Sequence, residues 1–108
     1  MYFNVTTIIR ENIAWIRKRN SKHFTLQLAA VSSEQAVKDL IKKHTQPGIF
    51  AYYRKKLKGR DLFIAIYGDF SNRVDAEKAT EHFAPLKHWI REFGSIQEIL
   101  RFIGKMAD

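Results

Sequence analysis

The stretch FTLQLAAV at residues 24–31 decides the fold, because its apolar residues alternate with polar or small ones as in a half-buried β-strand. One face of this strand holds Phe24, Leu26, Leu28 and Ala30, and the other holds Thr25, Gln27 and Ala29. The next residues, SSEQ at 32–35, are typical of a capping box that opens a helix. The amide of Gln27 needs hydrogen-bond partners, which predicts that its sheet face is either wet or binds something polar.

Composition sets the class of protein but does not choose the partner. The 108 residues, of which 45% are hydrophobic, are typical of one ordered domain. Nineteen Lys and Arg residues against 11 Asp and Glu give a formal net charge of +8. This excess favours nucleic acid, an anionic membrane surface or an acidic polymer as partner, and a solvated basic surface is the alternative. The absence of cysteine excludes disulfides, thiolate chemistry and Cys-ligated zinc.

The order of predicted elements is a helix, then βαββαβ, then a second flanking helix. The predicted strands are 23–31, 49–56, 61–67 and 89–93, and the predicted helices are 5–18, 33–44, 72–83 and one opening at a capping box at Ser95. This order is that of the α+β split βαβ fold, also called ferredoxin- or RNP-like, with a four-stranded antiparallel sheet and two helices on one face. We expect an N-terminal amphipathic helix and basic connector at 1–21, and a folded domain with a C-terminal helix at 22–108.

The second face of the predicted sheet is expected to be open, except where the flanking helices cover it. By strand alternation it carries Thr25, Gln27, Ala29, Phe63, Tyr67, Trp89, Arg91 and Phe93. Aromatic rings stack on flat, weakly polar ligand surfaces, and an amide can pair with polar groups beside them. The mixture therefore predicts a binding face.

Four short motifs, in the correct order and spacing, resemble the SPOR domain, the sporulation-related repeat. They are FTLQLAAVSS at 24–33, YGDF at 67–70, SNRVDA at 71–76 and HWIREFGSIQ at 88–97. The last is similar to the closing segment of the SPOR domains in DamX-type cell-division proteins. The resemblance covers roughly residues 22–97.

The resemblance implies a non-catalytic domain that binds peptidoglycan at the division septum, with a preference for glycan strands that lack stem peptides. Together with strand alternation, it gives Gln27, Ala30, Phe63, Tyr67, Trp89 and Arg91 as expected ligand-binding residues. It implies no cofactor, no metal and no nucleic acid, and it allows division proteins as further partners. The resemblance implies the periplasm or cell envelope as location, within a longer protein anchored in the inner membrane. Since the chain itself shows neither a signal peptide nor an apolar run of ~20 residues, the anchor is expected upstream of it.

Three positions depart from the family pattern. Asp69 and His88 stand where many relatives carry proline, and Leu62 stands where this branch often carries tryptophan. These departures bear on ligand affinity more than on the fold.

Two other classes of function stay open beside glycan binding. An RRM uses the same βαββαβ order to stack RNA bases on its open face, but residues 59–67 lack the order of basic, glycine and aromatic residues that RRMs carry. A protein-interaction module of the division machinery is the other alternative. An enzyme is not predicted, since the four histidines lack the HExxH spacing and no G-x-S-x-G motif occurs. The basic run RKKLKGR at 54–60 is equally compatible with a solvated turn and with a positive electrostatic field that helps to attract an anionic ligand.

Overall fold

The computed structural model describes residues 7–11, 13–44, 46–83 and 89–106, which form a five-stranded sheet with helices on both faces. The elements are β1 (Thr7–Glu11), α1 (Ile13–Arg17), β2 (Phe24–Val31), α2 (Glu34–Lys42), β3 (Gly48–Leu57), β4 (Arg60–Phe70), α3 (Arg73–Ala79), a 3-10 turn (Thr80–Phe83), β5 (Trp89–Glu92) and α4 (Phe93–Met106). The sheet order is β1-β3-β4-β2-β5. Strands β2 to β5 pair antiparallel throughout, which confirms the predicted α+β split βαβ fold.

The N-terminal segment differs from the helix predicted over 5–18. Residues 7–11 form a strand that runs parallel to β3, with Thr7 opposite Gly48 and Glu11 opposite Tyr52, and only 13–17 are helical. The run TTII at 6–9 is rich in β-branched residues, which favour strands when a pairing edge is available. Here β3 offers that edge. Val5, part of the predicted helical stripe, lies outside the described residues.

Helices α2 and α3 cover one side of the sheet, which we call the α2/α3 face. Its buried core consists of Leu26, Leu28, Val37, Ile41, Phe50, Tyr52, Ala65, Ala76 and Phe83. Val37 and Ile41 are one helical turn apart, so α2 presents both to the sheet. Burial of this apolar set is the main contribution that holds the two helices on the strands.

Side-chain caps define where α2 and α3 begin. Ser33 Oγ accepts the backbone N–H of Ala36 at 3.1 Å, and Asn72 Oδ1 accepts that of Asp75 at 2.8 Å. Each bond satisfies one of the free donors at a helix start. The predicted capping box of Ser32 and Gln35 does not form, because Ser33 is the N-cap and Ala36 therefore occupies the N3 position. The side chain of Gln35 donates to Asp39, one turn further along the helix.

Helices α1 and α4 cover much of the opposite side, the α1/α4 face, so the sheet face expected to be open is largely covered. Its buried cluster consists of Ile16, Ala51, Tyr53, Ile64, Ile66, Phe93, Ile96 and Leu100. The side chain of Gln97 on α4 donates to the carbonyl oxygens of Ile16 at 3.0 Å and Arg19 at 2.8 Å. These bonds tie α4 to α1 and its connector, and both helices remain against the sheet.

Helix α4 begins at Phe93, two residues before the predicted capping box. The connector before β2 explains the early start, since Phe93 N–H donates to His23 O at 2.9 Å and Gly94 N–H to Ser21 O at 2.8 Å. Two donors that would need a cap at a helix start are thereby satisfied from outside the helix. Ser95 is left inside the first turn, where its hydroxyl donates to Glu92 O.

Candidate functional site

An irregularity in strand pairing decides which residues of β2 share the α1/α4 face. Gln27 pairs with Ile66, but Ala29 pairs with Ala65, so Leu28 is an extra residue and β2 carries a bulge. A bulge reverses the alternation beyond it, because one additional residue moves each later side chain to the other side. Ala30, which pairs with Ile64, therefore shares the face of Gln27, whereas strict alternation assigned Ala30 to the other face and Ala29 to this one.

The predicted residues Gln27, Ala30, Trp89 and Arg91 come together on the α1/α4 face, beside α4. Trp89 is the cross-strand partner of Gln27, and Arg91 is that of Thr25. Trp89 is 55% exposed although it is a large aromatic residue, whereas Gln27 is only 8% exposed. The cluster thus offers an exposed aromatic surface next to a nearly buried amide.

Arg91 holds the amide of Gln27 in one orientation. Its Nη1 donates to Gln27 Oε1 at 3.3 Å, and its Nη2 donates to Ser95 Oγ at 3.1 Å. Because the carbonyl oxygen of Gln27 points to Arg91, the amide N–H groups are directed away from the guanidinium, and they have no hydrogen-bond partner among the described residues. Within residues 13–44, 46–83 and 89–101, no carboxylate pairs with Arg91, so its positive charge is available to an anion.

Tyr53 lies on the same face and was not anticipated from the sequence. It is 1% exposed, and its hydroxyl finds no hydrogen-bond partner among the described residues. Burial raises the pKa of this hydroxyl, and the positive charge of Arg91 partly opposes the rise. A signal existed in the alternation of Ala51, Tyr53 and Lys55 along β3, but nothing in the sequence placed α4 over that strand.

Phe63 and Tyr67, in contrast, lie on the α2/α3 face, so their predicted placement beside Gln27 is wrong. Both pack against the core under α2 and α3, and Tyr67 Oη donates to Pro47 O at 2.6 Å. Strand β4 is apolar on both faces because helices cover both, and alternation alone could not say which set faces which helices. The ring of Tyr67 also packs on Gly48, where a Cβ atom would lie only 2.8 Å from the Tyr67 hydroxyl oxygen. Glycine fits this position because it has no Cβ and tolerates a φ of +129°.

Asp69, one of the departures from the family pattern, pairs with two side chains of the connector before β2. Its carboxylate lies 2.7 Å from His23 Nδ1 and 3.3 Å from Arg19 Nη1, and the Arg19 guanidinium stacks over the Trp15 ring at 4.7 Å. These contacts fasten the connector between α1 and β2 to the end of β4. Another departure, His88, lies outside the described residues.

The described part of the chain holds no cluster of three or more His, Cys, Asp or Glu side chains that could bind a metal ion. Among its helices, none combines the length and apolar character needed to span a membrane. The cluster on the α1/α4 face thus combines an exposed aromatic ring, a nearly buried amide and a cation.

Comparison with known proteins identifies the core of this fold. The family model of the SPOR domain matches residues 20–92, which run from the connector before β2 to the end of β5. Strand β1, at one edge of the sheet, lies outside this match, and so do helices α1 and α4, which cover the α1/α4 face. No curated protein and no solved structure gives a significant match.

Proposed function

The chain belongs to the SPOR domain family, and we propose that it binds septal glycan strands that have lost their stem peptides. SPOR domains are non-catalytic, peptidoglycan-binding domains of the periplasm and the division septum. For this chain we propose which part of peptidoglycan is bound and which residues bind it. The observation that carries it is the cluster of Trp89, Gln27 and Arg91 at the uncovered margin of the α1/α4 face.

The three side chains match three chemical features of a bare glycan strand. A sugar ring presents an apolar C–H face, which the exposed indole of Trp89 can stack against. Acetamido groups carry a carbonyl oxygen, which can accept from the Gln27 amide. The lactyl group of each muramic sugar is a free carboxylate once the peptide is removed, and the planar guanidinium of Arg91 is suited to a carboxylate.

Ala30 supports the same assignment through its size and place. Ala30 is exposed on the same face, beyond the bulge that follows Gln27. Its methyl side chain leaves room for a glycan strand that continues from Trp89 across β2. Phe63 and Tyr67 are not part of this proposal, because they lie on the other side of the sheet. No catalytic role is proposed for any of these residues. Contacts to other division proteins and anchoring through a segment beyond this chain belong to the same proposal.

The test is co-sedimentation with purified peptidoglycan before and after an amidase has removed the stem peptides. We expect stronger retention on the treated material, undiminished by single-stranded RNA. Trp89→Ala should lower retention about tenfold, since loss of an aromatic stacking partner costs about 1–3 kcal/mol in comparable sites. Val74→Ala on α3 is the control, because Val74 is 58% exposed and α3 covers the opposite face of the sheet.

Circular dichroism of each variant separates a binding defect from unfolding. Equal retention on treated and untreated peptidoglycan would refute the preference for bare glycan strands. Full retention of the Trp89→Ala variant would refute the proposed surface. Retention on RNA with none on either peptidoglycan would favour the nucleic-acid alternative.

A further inference from the structure

The β3–β4 hairpin projects beyond the rest of the sheet. Strand β2 pairs with β4 only as far as Phe63, and β1 pairs with β3 only as far as Tyr52, yet β3 and β4 continue to pair up to Leu57 and Arg60. The last three pairs of this ladder therefore form a two-stranded ribbon about 10 Å long with no third strand among the described residues. Lys58 and Gly59 close the ribbon, both with positive φ, as a tight hairpin turn requires.

This ribbon concentrates the positive charge of the chain. Between residues 54 and 61 five of the six charged side chains are cationic, which gives the segment half of the formal net charge of +8. One ion pair is present there, between Lys56 and Asp61 at 3.8 Å. By alternation from Tyr53, Lys55 and Arg60 lie on the α1/α4 face and Arg54 and Lys56 on the other, so cations surround the ribbon on both faces.

An apolar side chain sits among these cations. Leu57, next to the turn, is 49% exposed, and together with Leu62, Lys58 and Arg60 it lines an open groove of about 470 Å³. Lysines on free strand edges also discourage pairing with other chains. That role does not require an exposed leucine at the tip, so the combination calls for a partner that is both anionic and apolar.

We propose that the tip of the β3–β4 hairpin docks on an anionic phospholipid surface. Leu57 enters the headgroup region, the groove beside it receives acyl-chain or glycerol carbon, and the surrounding cations contact lipid phosphates. Basic residues are attracted to an anionic leaflet and an apolar residue gains by leaving water, which is the combination that interfacial segments use. This interaction surface is separate from the cluster of Trp89, Gln27 and Arg91 and adds to the proposed glycan binding.

The placement of the charges favours a membrane over a linear polymer. An acidic peptide or a nucleic acid lying along one face of the ribbon would contact about half of the cations and leave Leu57 without an apolar partner. A planar surface approached by the tip can contact cations of both faces at once. The two arrangements make different predictions for Leu57.

Vesicle flotation tests the proposal directly. We expect binding to vesicles of phosphatidylglycerol and phosphatidylcholine, none to phosphatidylcholine alone, and a loss of binding at high salt. The triple variant Lys55→Gln, Lys58→Gln, Arg60→Gln should bind about a hundredfold more weakly. The control Lys42→Gln, Lys43→Gln, Lys78→Gln removes the same charge from exposed positions on or next to α2 and α3 and should stay within about threefold of the wild type.

The absence of cysteine allows a single reporter at the tip. A polarity-sensitive fluorophore on Leu57→Cys should shift to the blue on phosphatidylglycerol vesicles, and the same label on Val74→Cys should not. No flotation with anionic vesicles, or equal losses in the two triple variants, would overturn the proposal. So would binding to a polyglutamate peptide as tight as to vesicles without a shift of the Leu57 label, which would make an acidic polymer the partner. None of these readouts uses peptidoglycan, so failure here leaves the glycan-binding test independent.

Discussion

Arg91 on β5 donates a hydrogen bond to the side-chain carbonyl oxygen of Gln27 on β2, across the outermost strand pair of the sheet. The bond joins the one nearly buried amide of the predicted site to a guanidinium that α4 also holds through Ser95. The orientation of Gln27 therefore depends on Arg91, and the two residues should act on a ligand as a unit.

A double-mutant cycle on Gln27 and Arg91 tests this dependence. Gln27→Ala and Arg91→Ala should each weaken binding to amidase-treated peptidoglycan, and the double variant should lose less than the sum of the two losses. Coupled neighbours typically show interaction energies of about 0.5–3 kcal/mol. Arg101→Ala, an exposed arginine on the same helix as Ser95, is the charge-matched control and should not couple to Gln27. Strictly additive losses would show that Arg91 does not orient Gln27.

Tyr67 provides the complementary prediction, because the structure removes it from the binding face. Tyr67→Phe deletes the hydrogen bond to Pro47 O and should lower the free energy of unfolding by about 0.5–1.5 kcal/mol. Binding to treated peptidoglycan should stay unchanged, and urea denaturation with co-sedimentation measures both quantities. A Tyr67→Phe protein of full stability and reduced binding would place Tyr67 in the ligand site after all.

The sequence predicted the strands of the split βαβ core well, because alternation, the serine pair before α2 and the break at Pro47–Gly48 are local signals. Alternation assigned Phe63 and Tyr67 to the α1/α4 face, whereas they lie on the α2/α3 face. It assigned Ala30 to the α2/α3 face, whereas Ala30 lies on the α1/α4 face. The bulge at Leu28 and the irregular pairing near Gly68, between Phe24 and Leu26 on the partner strand, depend on how strands meet, which local patterns do not contain.

The sequence did not predict how far helices α1 and α4 cover the α1/α4 face. The spacing of Ile96, Ile99 and Leu100 indicated an amphipathic helix, but not the surface on which it would lie. That choice rests on long-range hydrogen bonds such as those of Gln97 to the carbonyl oxygens of Ile16 and Arg19, which connect residues about eighty positions apart. The same cover confines the proposed glycan site to the margin near β5.

His44 predicts a dependence of stability on pH. Its ring stacks on Phe50 at 5.4 Å and meets the edge of Phe83 at 5.3 Å, and burial lowers its pKa below the ordinary value of 6.5. A lowered pKa in the folded state means that the unfolded chain takes up the proton first as pH falls. The contribution of His44 to stability should therefore be complete above pH 6.5 and decline as pH falls through 6.5 towards the lowered folded pKa.

The measurement is urea denaturation between pH 5 and pH 8 on the wild type and on His44→Phe. Phenylalanine keeps the ring contacts with Phe50 and Phe83 and cannot be protonated, while the other three histidines are common to both proteins. The wild type should lose more stability than the variant on going to low pH. Parallel pH curves for the two proteins would contradict the role of His44.

Tyr52 and Tyr53 are adjacent on β3, are both 1% exposed and point to opposite faces, so they form a matched pair for the final prediction. Tyr52 Oη donates to Glu34 Oε2 at 2.7 Å, whereas the hydroxyl of Tyr53 is buried without a hydrogen-bond partner in the described part of the chain. A buried polar group without a partner costs about 1–3 kcal/mol, and a satisfied one contributes about 1 kcal/mol or more when its partner is charged. Removal of the two hydroxyls should therefore change the free energy of unfolding in opposite directions.

Tyr53→Phe should raise the free energy of unfolding by about 1 kcal/mol, since it removes an uncompensated hydroxyl and keeps the ring that packs under α4. Tyr52→Phe should lower it by about 1–2 kcal/mol, because it leaves the Glu34 carboxylate without its donor. Urea denaturation at one pH measures both, and an unchanged slope with denaturant shows that each variant unfolds from the same structure. If Tyr53→Phe instead destabilises the protein as much as Tyr52→Phe, the Tyr53 hydroxyl is hydrogen-bonded and the predicted gain is refuted.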